Sequence, residues 1–471
     1  MEILLSTNDS KRQMELDLFK LLKTATIKDA LSLIENNNKG FILISDETDA
    51  ILGLATDGDI RRKLLEGVSL DSPIHICINS EFVWADELTS REQILKQLDH
   101  NIRVIPILNS NRELVNVISR ESFPTVPETR VYARSKSPVR ISFGGGGSDL
   151  THYFFNAGGA VINAAVSLYA HAALHIRQDG SIKVHSRDLN AILEAVDLKE
   201  ALKHNEKFGL IQAVLKTIHP DFGFELFLHS DFPMKSGLGG SAVVAASILG
   251  CFNEFRRDKW DLYEISELAY QAERLYLGVA GGWQDQYATV FGGINFMEFR
   301  AEQNVIHPLR ISRDVMLELE ENLILCDTGT FHESGDIHKD QKAELDKGDI
   351  RNLVKQNVDL TFRIRDQLLR GRLLDFGQTL DQAWQLKRQF SQKISNSNLD
   401  AIYENAKKNG AIGGKLLGAG GGGFFLFYVP SQYKNGLMDA MQASGNTVRP
   451  FRFEPEGLRS WTVRENKLEA H

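Results

Sequence analysis

Apolar and polar positions alternate with two different periods in the first 120 or so residues. Residues 26–35 repeat apolar side chains at helical spacing. Residues 40–45 and 51–56 are compact apolar runs of strand length, and 57–65 opens another helix. The same order recurs at 91–98, 103–108 and 114–119. The pattern predicts one small unit, helix–strand–turn–strand–helix, used twice. Periodicity then stops. Residues 121–137 carry Pro124 and Pro127 among polar residues and read as a linker. Beyond it, β-type runs mix with helices as far as about Ile311. Long helical patterns follow at 351–373 and 374–391, then a closing strand at 424–429. The expected fold is multidomain, α/β and α+β: a paired unit at 1–122, a linker at 123–137, and two subdomains at 138–310 and 311–471.

One junction stands out within this pattern. Residues 224–229 alternate like a strand, 232–241 form a glycine-rich loop, and a run of small residues after it reads as a closely packed helix. Strand, glycine loop and helix aim free backbone N–H groups at an anion. No Gly-Lys-Ser/Thr tripeptide closes the loop, and Lys235 precedes the glycines, so a Walker-type lysine is excluded. The candidate phosphate cradle is Lys235, Ser236, Gly237, Leu238, Gly239, Gly240, Ser241 and Ala242.

Composition narrows the class. Of the 471 residues, 42% are hydrophobic and 25% charged, the balance of a globular protein. A net charge of −8 argues against nucleic acid or an anionic membrane as partner. No apolar run approaches the roughly 18 residues of a membrane-spanning helix. The N-terminal segment lacks a basic start and a long apolar core, so no signal peptide is expected. Cys77, Cys251 and Cys326 are widely separated and read as buried thiols of a reducing, cytoplasmic compartment.

Two further glycine-rich segments lie far from the first, at 138–149 and 413–424, and Gly281-Gly-Trp-Gln-Asp-Gln286 lies between. Four such segments in one order resemble the motifs of the GHMP kinases, the galactokinase, homoserine, mevalonate and phosphomevalonate kinase superfamily. The resemblance covers residues 130–471, roughly three quarters of the chain. It is nearest to the sugar kinases that phosphorylate D-glycero-D-manno-heptose 7-phosphate. Fucokinases share the 281–286 motif but typically carry Trp near the end of the first one, where this chain has Gly147.

The resemblance implies ATP and Mg²⁺ as cofactors, with Lys235–Ala242 around the phosphates. It implies Glu273 as the metal carboxylate and Asp285 as the base facing the acceptor hydroxyl. Asp149, Gly146 and Gly147 are implied at the sugar, and Gly421 and Gly422 in a third loop that closes the site or packs as a hairpin. Arg140 either pairs with Asp285 or meets a transferring phosphate. The family usually reads Gly-Leu-Gly-Ser-Ser, and its first serine meets the metal. Here that place is Gly240, so Ser241 reaches the metal or caps the helix. An acceptor that already carries a phosphate needs a basic pocket, for which Lys136, Arg187, Lys339, Lys387, Arg388 and Lys415 are candidates. The implied reaction is phosphorylation of the anomeric hydroxyl of heptose 7-phosphate to the 1,7-bisphosphate, for surface-polysaccharide synthesis. The rivals are a fucokinase-type activity on an unphosphorylated sugar and a nucleotide sensor without catalysis.

The paired N-terminal unit resembles a tandem cystathionine-β-synthase (CBS) module, which often binds adenine nucleotides. Gly53, Thr56 and Asp59 match its signature. In the second copy Asn116, Ser119 and Ser122 stand instead, so one nucleotide site is expected, at Thr56 and Asp59. Such modules associate with their like, making a homodimer an expected assembly.

Overall fold

The computed structural model describes residues 16–98, 102–119, 130–203, 206–233, 236–330 and 349–465. Two compact units result, Met1–Glu128 and Thr129–His471.

The first unit is a duplicated motif. Strand β1 (Lys20–Leu22), helix α1 (Ile27–Asn37), strands β2 (Phe41–Ser45) and β3 (Ile51–Thr56) and helix α2 (Asp57–Leu65) form one copy. Strand β4 (Ala85–Asp86), helix α3 (Arg91–Gln97) and strands β5 (Val104–Leu108) and β6 (Leu114–Ser119) form the other. Each sheet joins a parallel pair to an antiparallel one. The copies share even their irregularity. A bulge follows Ile44 in one and Ile107 in the other, leaving Gly53 and Asn116 in equivalent register. Each copy buries its own apolar face, with Ile27, Ile42 and Ile60 in the first and Ile94, Ile105 and Ile118 in the second. Phe41, Leu43, Ile51 and Leu108 join them in a third cluster.

The second unit is built on two long strands, β7 (Arg130–Gly144) and β8 (Gly159–Arg177), with helix α4 (Thr151–Ala157) between them. Strands β9 (Ile182–Ser186) and β10 (Ala191–Ala195) follow, then helix α5 (Gly209–Ile218), strand β11 (Gly223–Ser230) and helix α6 (Gly240–Glu254). Helices α7 (Leu262–Gln271) and α8 (Gln284–Phe291) precede strands β12 (Ile294–Phe299) and β13 (Asn304–Pro308). The rest is helix α9 (Arg313–Asn322), strand β14 (Leu323–Asp327), helices α10 (Asp349–Leu369), α11 (Leu373–Lys387) and α12 (Ser397–Lys408), strands β15 (Gly413–Leu416) and β16 (Phe424–Tyr428), helix α13 (Ser431–Ala443) and strands β17 (Val448–Arg449) and β18 (Arg459–Glu465).

Eight strands make one sheet, ordered β10-β9-β11-β8-β12-β13, with β7 pairing β8 on one side and β18 on the other. The second sheet is β15-β16-β14-β17. Helix α6 is buried on nearly every side, which its Ala, Ser and Gly content permits by letting β7 and β8 approach closely. All three cysteines are free and buried.

Two sequence expectations change here. The segment 130–137, read as linker, is the first half of β7, and residues 130–136 pair one for one with β18. Pro138 ends that half with a bulge, which is why the segment lacks a clean strand pattern. Strand β18 lies at the chain's end, within the range expected for the second subdomain, yet it completes the first subdomain's sheet.

Candidate active site

A cleft of about 620 Å³ opens where β7, the start of α6 and the start of α8 converge. Arg140, Gly146, Gly147, Asp149, Ser236, Gly237, Gly239, Gly240, Ser241, Ala242, Glu273 and Asp285 all border it. Its other end is apolar, lined by Leu189, Phe208, Leu210, Leu277 and Val279. Leu238 does not border the cleft. Its side chain is fully buried in the core, and its carbonyl accepts the N–H of Arg140. Lys235 lies outside the described residues, as do Lys339 and the segment 331–348.

Helix α6 begins at the cleft. Its N-cap, Gly239, has φ +79° and offers no side chain to the first-turn amides. Those donors therefore remain for an anion. A Cβ on Gly239 would stand 3.2 Å from the Asp285 carboxylate, so the turn passes directly over that group.

Arg140 is only 3% exposed and donates to Asp285 Oδ1 through Nε (2.8 Å), with Nη2 2.7 Å from the same oxygen. Its Nη1 donates to the carbonyl of Gly237 at 2.7 Å. One guanidinium thus ties the carboxylate to the glycine loop. Of the two sequence readings of Arg140, this geometry realises the ion pair. Asp149 is buried and accepts the N–H groups of Gly147 (3.1 Å) and Gln284 (3.3 Å). Burial, then the nearby charge of Asp285, pushes its carboxyl above the usual range, and those two amides offset part of the rise. Gly282 is where it is because a Cβ there would lie 1.8 Å from Asp149 Oδ2.

Glu273 sits in a π-helical turn, Ala272–Tyr276, that continues α7. Such turns re-aim side chains and recur at functional sites. Glu273 is buried, accepts a hydrogen bond from Gln286 Nε2, and has Arg274 3.8 Å away, and Ser241 borders the same cleft. Burial raises its pKa, against the opposing pull of Arg274 and that hydrogen bond. Gln286 Oε1 is buried without a hydrogen-bond partner. A carboxylate, a hydroxyl and an orphaned amide oxygen are hard oxygen donors, which suits Mg²⁺ with its preference for few protein ligands. A Cβ at Gly240 would meet the Phe232 ring at 2.7 Å, which is why no serine fits there. Ser241, one residue on, borders the cleft together with Glu273.

The third glycine loop leans on the first. A Cβ on Gly418 would lie 2.8 Å from Gly237 Cα. The sequence expectation for this loop needs correction. Gly418 and Ala419 border the cleft, whereas Gly421 and Gly422 do not. Gly421 donates to Ile394 O, and Gly422 packs on Thr330. The stretch turns away because it must return into β16.

Among the basic candidates, Lys387 borders the cleft and Lys415 is buried on β15. Lys136 sits 4.7 Å above the Tyr169 ring, Arg388 pairs with Asp400 at 2.8 Å, and Arg187 is exposed and does not line the cleft. Sequence reasoning overlooked Arg274. Its guanidinium donates to Val279 O (3.2 Å) and Gly282 O (3.0 Å), holding the loop that presents Asp285. A basic residue beside Glu273 was visible, but nothing in the spacing said where it reached.

In the first unit Thr56 and Asp59 form a capping box on α2. Asp59 Oδ2 accepts from Thr56 N (2.9 Å) and Oγ1 (2.6 Å), and Oδ1 pairs with Arg62 at 2.7 Å. Thr26–Asp29 and Ser90–Gln93 make the same box on α1 and α3. A Cβ at Gly53 would collide with Ile78 and Asn79.

A glycine loop at a helix start, with two carboxylates and an arginine facing it, defines a small-molecule phosphotransferase. Family profiles agree: "GHMP kinases N terminal domain" matches residues 200–293, "GHMP kinases C terminal" matches 364–446, and "CBS domain" matches 14–66 and 75–123. The chain is 37% identical over 341 residues to a D-glycero-alpha-D-manno-heptose 7-phosphate kinase of Campylobacter jejuni, covering 70% of this chain and 99% of that one. It is 27% identical to an L-fucokinase/L-fucose-1-P guanylyltransferase of Bacteroides fragilis, over 64% of this chain and 35% of that protein. A crystal structure of a D-glycero-D-manno-heptose 1-phosphate kinase from Bacteroides thetaiotaomicron superposes with TM-score 0.60 at 28% identity, covering 71% of this chain and all of that one. The chain therefore belongs to the GHMP kinase family, preceded by a CBS pair. It is a sugar kinase, a phosphotransferase with an alcohol acceptor, and a homologue of the heptose phosphate kinases; its kinase relatives imply ATP as donor.

Proposed function

We propose that this protein transfers the γ-phosphoryl group of ATP to the anomeric hydroxyl of D-glycero-D-manno-heptose 7-phosphate, giving the 1,7-bisphosphate and ADP. The observation that carries the reading is the Arg140–Asp285 pair, held against the open N-terminus of α6. Phosphoryl transfer asks for little covalent work. It needs positioning, charge neutralisation and a proton acceptor. The amides of Gly237–Ala242 hold the donor's phosphates, and the apolar end at Phe208, Leu210 and Leu277 receives its base. Asp285 orients the acceptor hydroxyl and takes its proton as the new P–O bond forms. Arg140 keeps that carboxylate aimed. Asp149 meets sugar hydroxyls beside Gly146 and Gly147. Glu273 and Ser241 would hold Mg²⁺, which neutralises phosphate charge when bound.

Two kinase subdomains are part of this reading, one from the start of β7 at Arg130 to about 310 and one from 311, with β18 returned to the first. The CBS pair at 1–122 is assigned as a regulatory module for an adenine nucleotide near Thr56 and Asp59, and as the site of homodimerisation. A cytoplasmic enzyme is part of the proposal, since its two proposed substrates, ATP and a phosphosugar, are cytoplasmic metabolites. No helix among the described residues is long and apolar enough to cross a membrane. Ser241 on the cleft with Glu273 and Asp285 favours catalysis over an inactive sensor, because a hydroxyl one residue after Gly240 and both carboxylates are kept. An ADP-release assay over a sugar panel tests the substrate. Turnover of fucose or another unphosphorylated sugar in preference to heptose 7-phosphate would overturn it.

A further inference from the structure

Two lysines from separate elements meet beneath the third glycine loop. Lys387 is the last residue of α11 and Lys415 the third of β15. They are 5% and 3% exposed. Lys387 Nζ donates to Gly418 O at 2.6 Å and, at a long 3.4 Å, to Leu416 O. An ammonium has three donors, so at least one is left, and Lys387 borders the cleft. Lys415 has no hydrogen-bond acceptor among the described residues.

The surrounding charges do not balance. Arg140, Lys387 and Lys415 stand against Asp149 and Asp285, and Asp285 is already committed to Arg140. Asp149 is shared with two amides. Burial depresses both ammonium groups; the charge of Arg140 adds to the effect at Lys387, which falls to about 8, and the charges of Lys387 and Arg140 add to it at Lys415. Buried surplus charge destabilises a fold, and apolar residues of similar volume would serve packing better. A dianion entering the cleft would complete the arrangement.

We propose that Lys387, with the buried Lys415 behind the same loop, is a binding site for a phosphoryl group on the cleft. The inference rests on the phosphosugar-kinase reading and deepens it. Two sources offer the same chemistry, the phosphate already on the acceptor and the phosphoryl group in transfer.

The test uses the full chain carrying Lys387→Met or Lys415→Met, assayed with heptose 7-phosphate and with the unphosphorylated heptose. If the acceptor's own phosphate sits there, KM for the phosphorylated sugar rises at least tenfold and the preference for it collapses. If the transferring group sits there, kcat falls at least tenfold with both acceptors and KM moves little. Changes below twofold in every parameter of both variants overturn the site. A second measurement does not depend on the sugar or on how the variants fold. Wild-type enzyme free of nucleotide is titrated with inorganic phosphate at pH 8.5, in two buffers of unlike ionisation enthalpy. Proton uptake on binding is expected, because the anion re-protonates Lys387; binding without uptake, or none, overturns the proposal. Wild-type enzyme inert towards heptose 7-phosphate but showing this uptake would sink the substrate reading and leave the anion site standing.

Discussion

Arg140 and Asp285 are 145 residues apart in the chain and 2.7–2.8 Å apart in space. The arginine comes from the middle of β7 and the aspartate from the first turn of α8. Because the same guanidinium also holds the Gly237 carbonyl, the carboxylate and the glycine loop are positioned by a single side chain.

Asp285→Asn should therefore leave the donor's site intact while removing the proton acceptor. Turnover is expected to fall by roughly 10²–10⁴. ATP affinity, measured by equilibrium binding, should stay within about twofold. Retained turnover would exclude Asp285 as the base.

Gly240→Ser restores the residue that related kinases usually carry, yet it should harm this protein. The new Cβ meets the Phe232 ring at 2.7 Å. Overpacking of that kind typically costs about 1–3 kcal/mol. Combining it with Phe232→Leu should recover part of the loss, and a double-mutant cycle in urea reads the coupling. Additive effects would mean the ring is not what excludes the serine.

Gly282→Ala should be among the most damaging single-methyl changes. Its Cβ would fall 1.8 Å from the buried Asp149 carboxylate. Either the loop or Asp149 must move, so KM for the sugar should rise more than tenfold, with a lower melting temperature. An unchanged KM would separate Asp149 from sugar binding.

Stability should rise with pH on account of Lys387. Its folded pKa, about 8, lies below the ordinary 10.5. Between those values the unfolded chain binds more protons, so unfolding free energy increases with pH across that window. The full difference corresponds to roughly 3 kcal/mol. Denaturant midpoints at pH 7.5, 9 and 10 should climb more steeply for wild type than for Lys387→Met. Parallel slopes would refute the assignment.

Asp59→Ala should lower the stability of the first unit by about 0.5–2 kcal/mol through loss of the α2 capping box, with or without nucleotide. Titration of the full chain with AMP, ADP and ATP separates that effect from ligand binding. If affinity is unchanged while the melting temperature drops, Asp59 is a cap alone.

The chain's own order determined a great deal. The 3.6-residue and short apolar periods set out the duplicated first unit, down to equivalent places for Gly53 and Asn116. The strand, glycine loop and helix around 232–241 announced a phosphate-handling site, because close backbone approach to an anion demands residues without a Cβ, and the resemblance carried by four glycine-rich segments implied Glu273 and Asp285 beside it. What needed the tertiary structure was every relation between distant segments. Residues 130–137 look like linker until β18 returns to pair with them. Gly421 and Gly422 look equivalent to Gly418 until the chain turns back into β16. Six basic residues were equal candidates for an anion pocket, and only packing sets the buried Lys387 and Lys415 apart from Lys136, Arg187 and Arg388. Local sequence specifies backbone conformation and periodic burial; which charges share one low-dielectric space is decided by long-range packing.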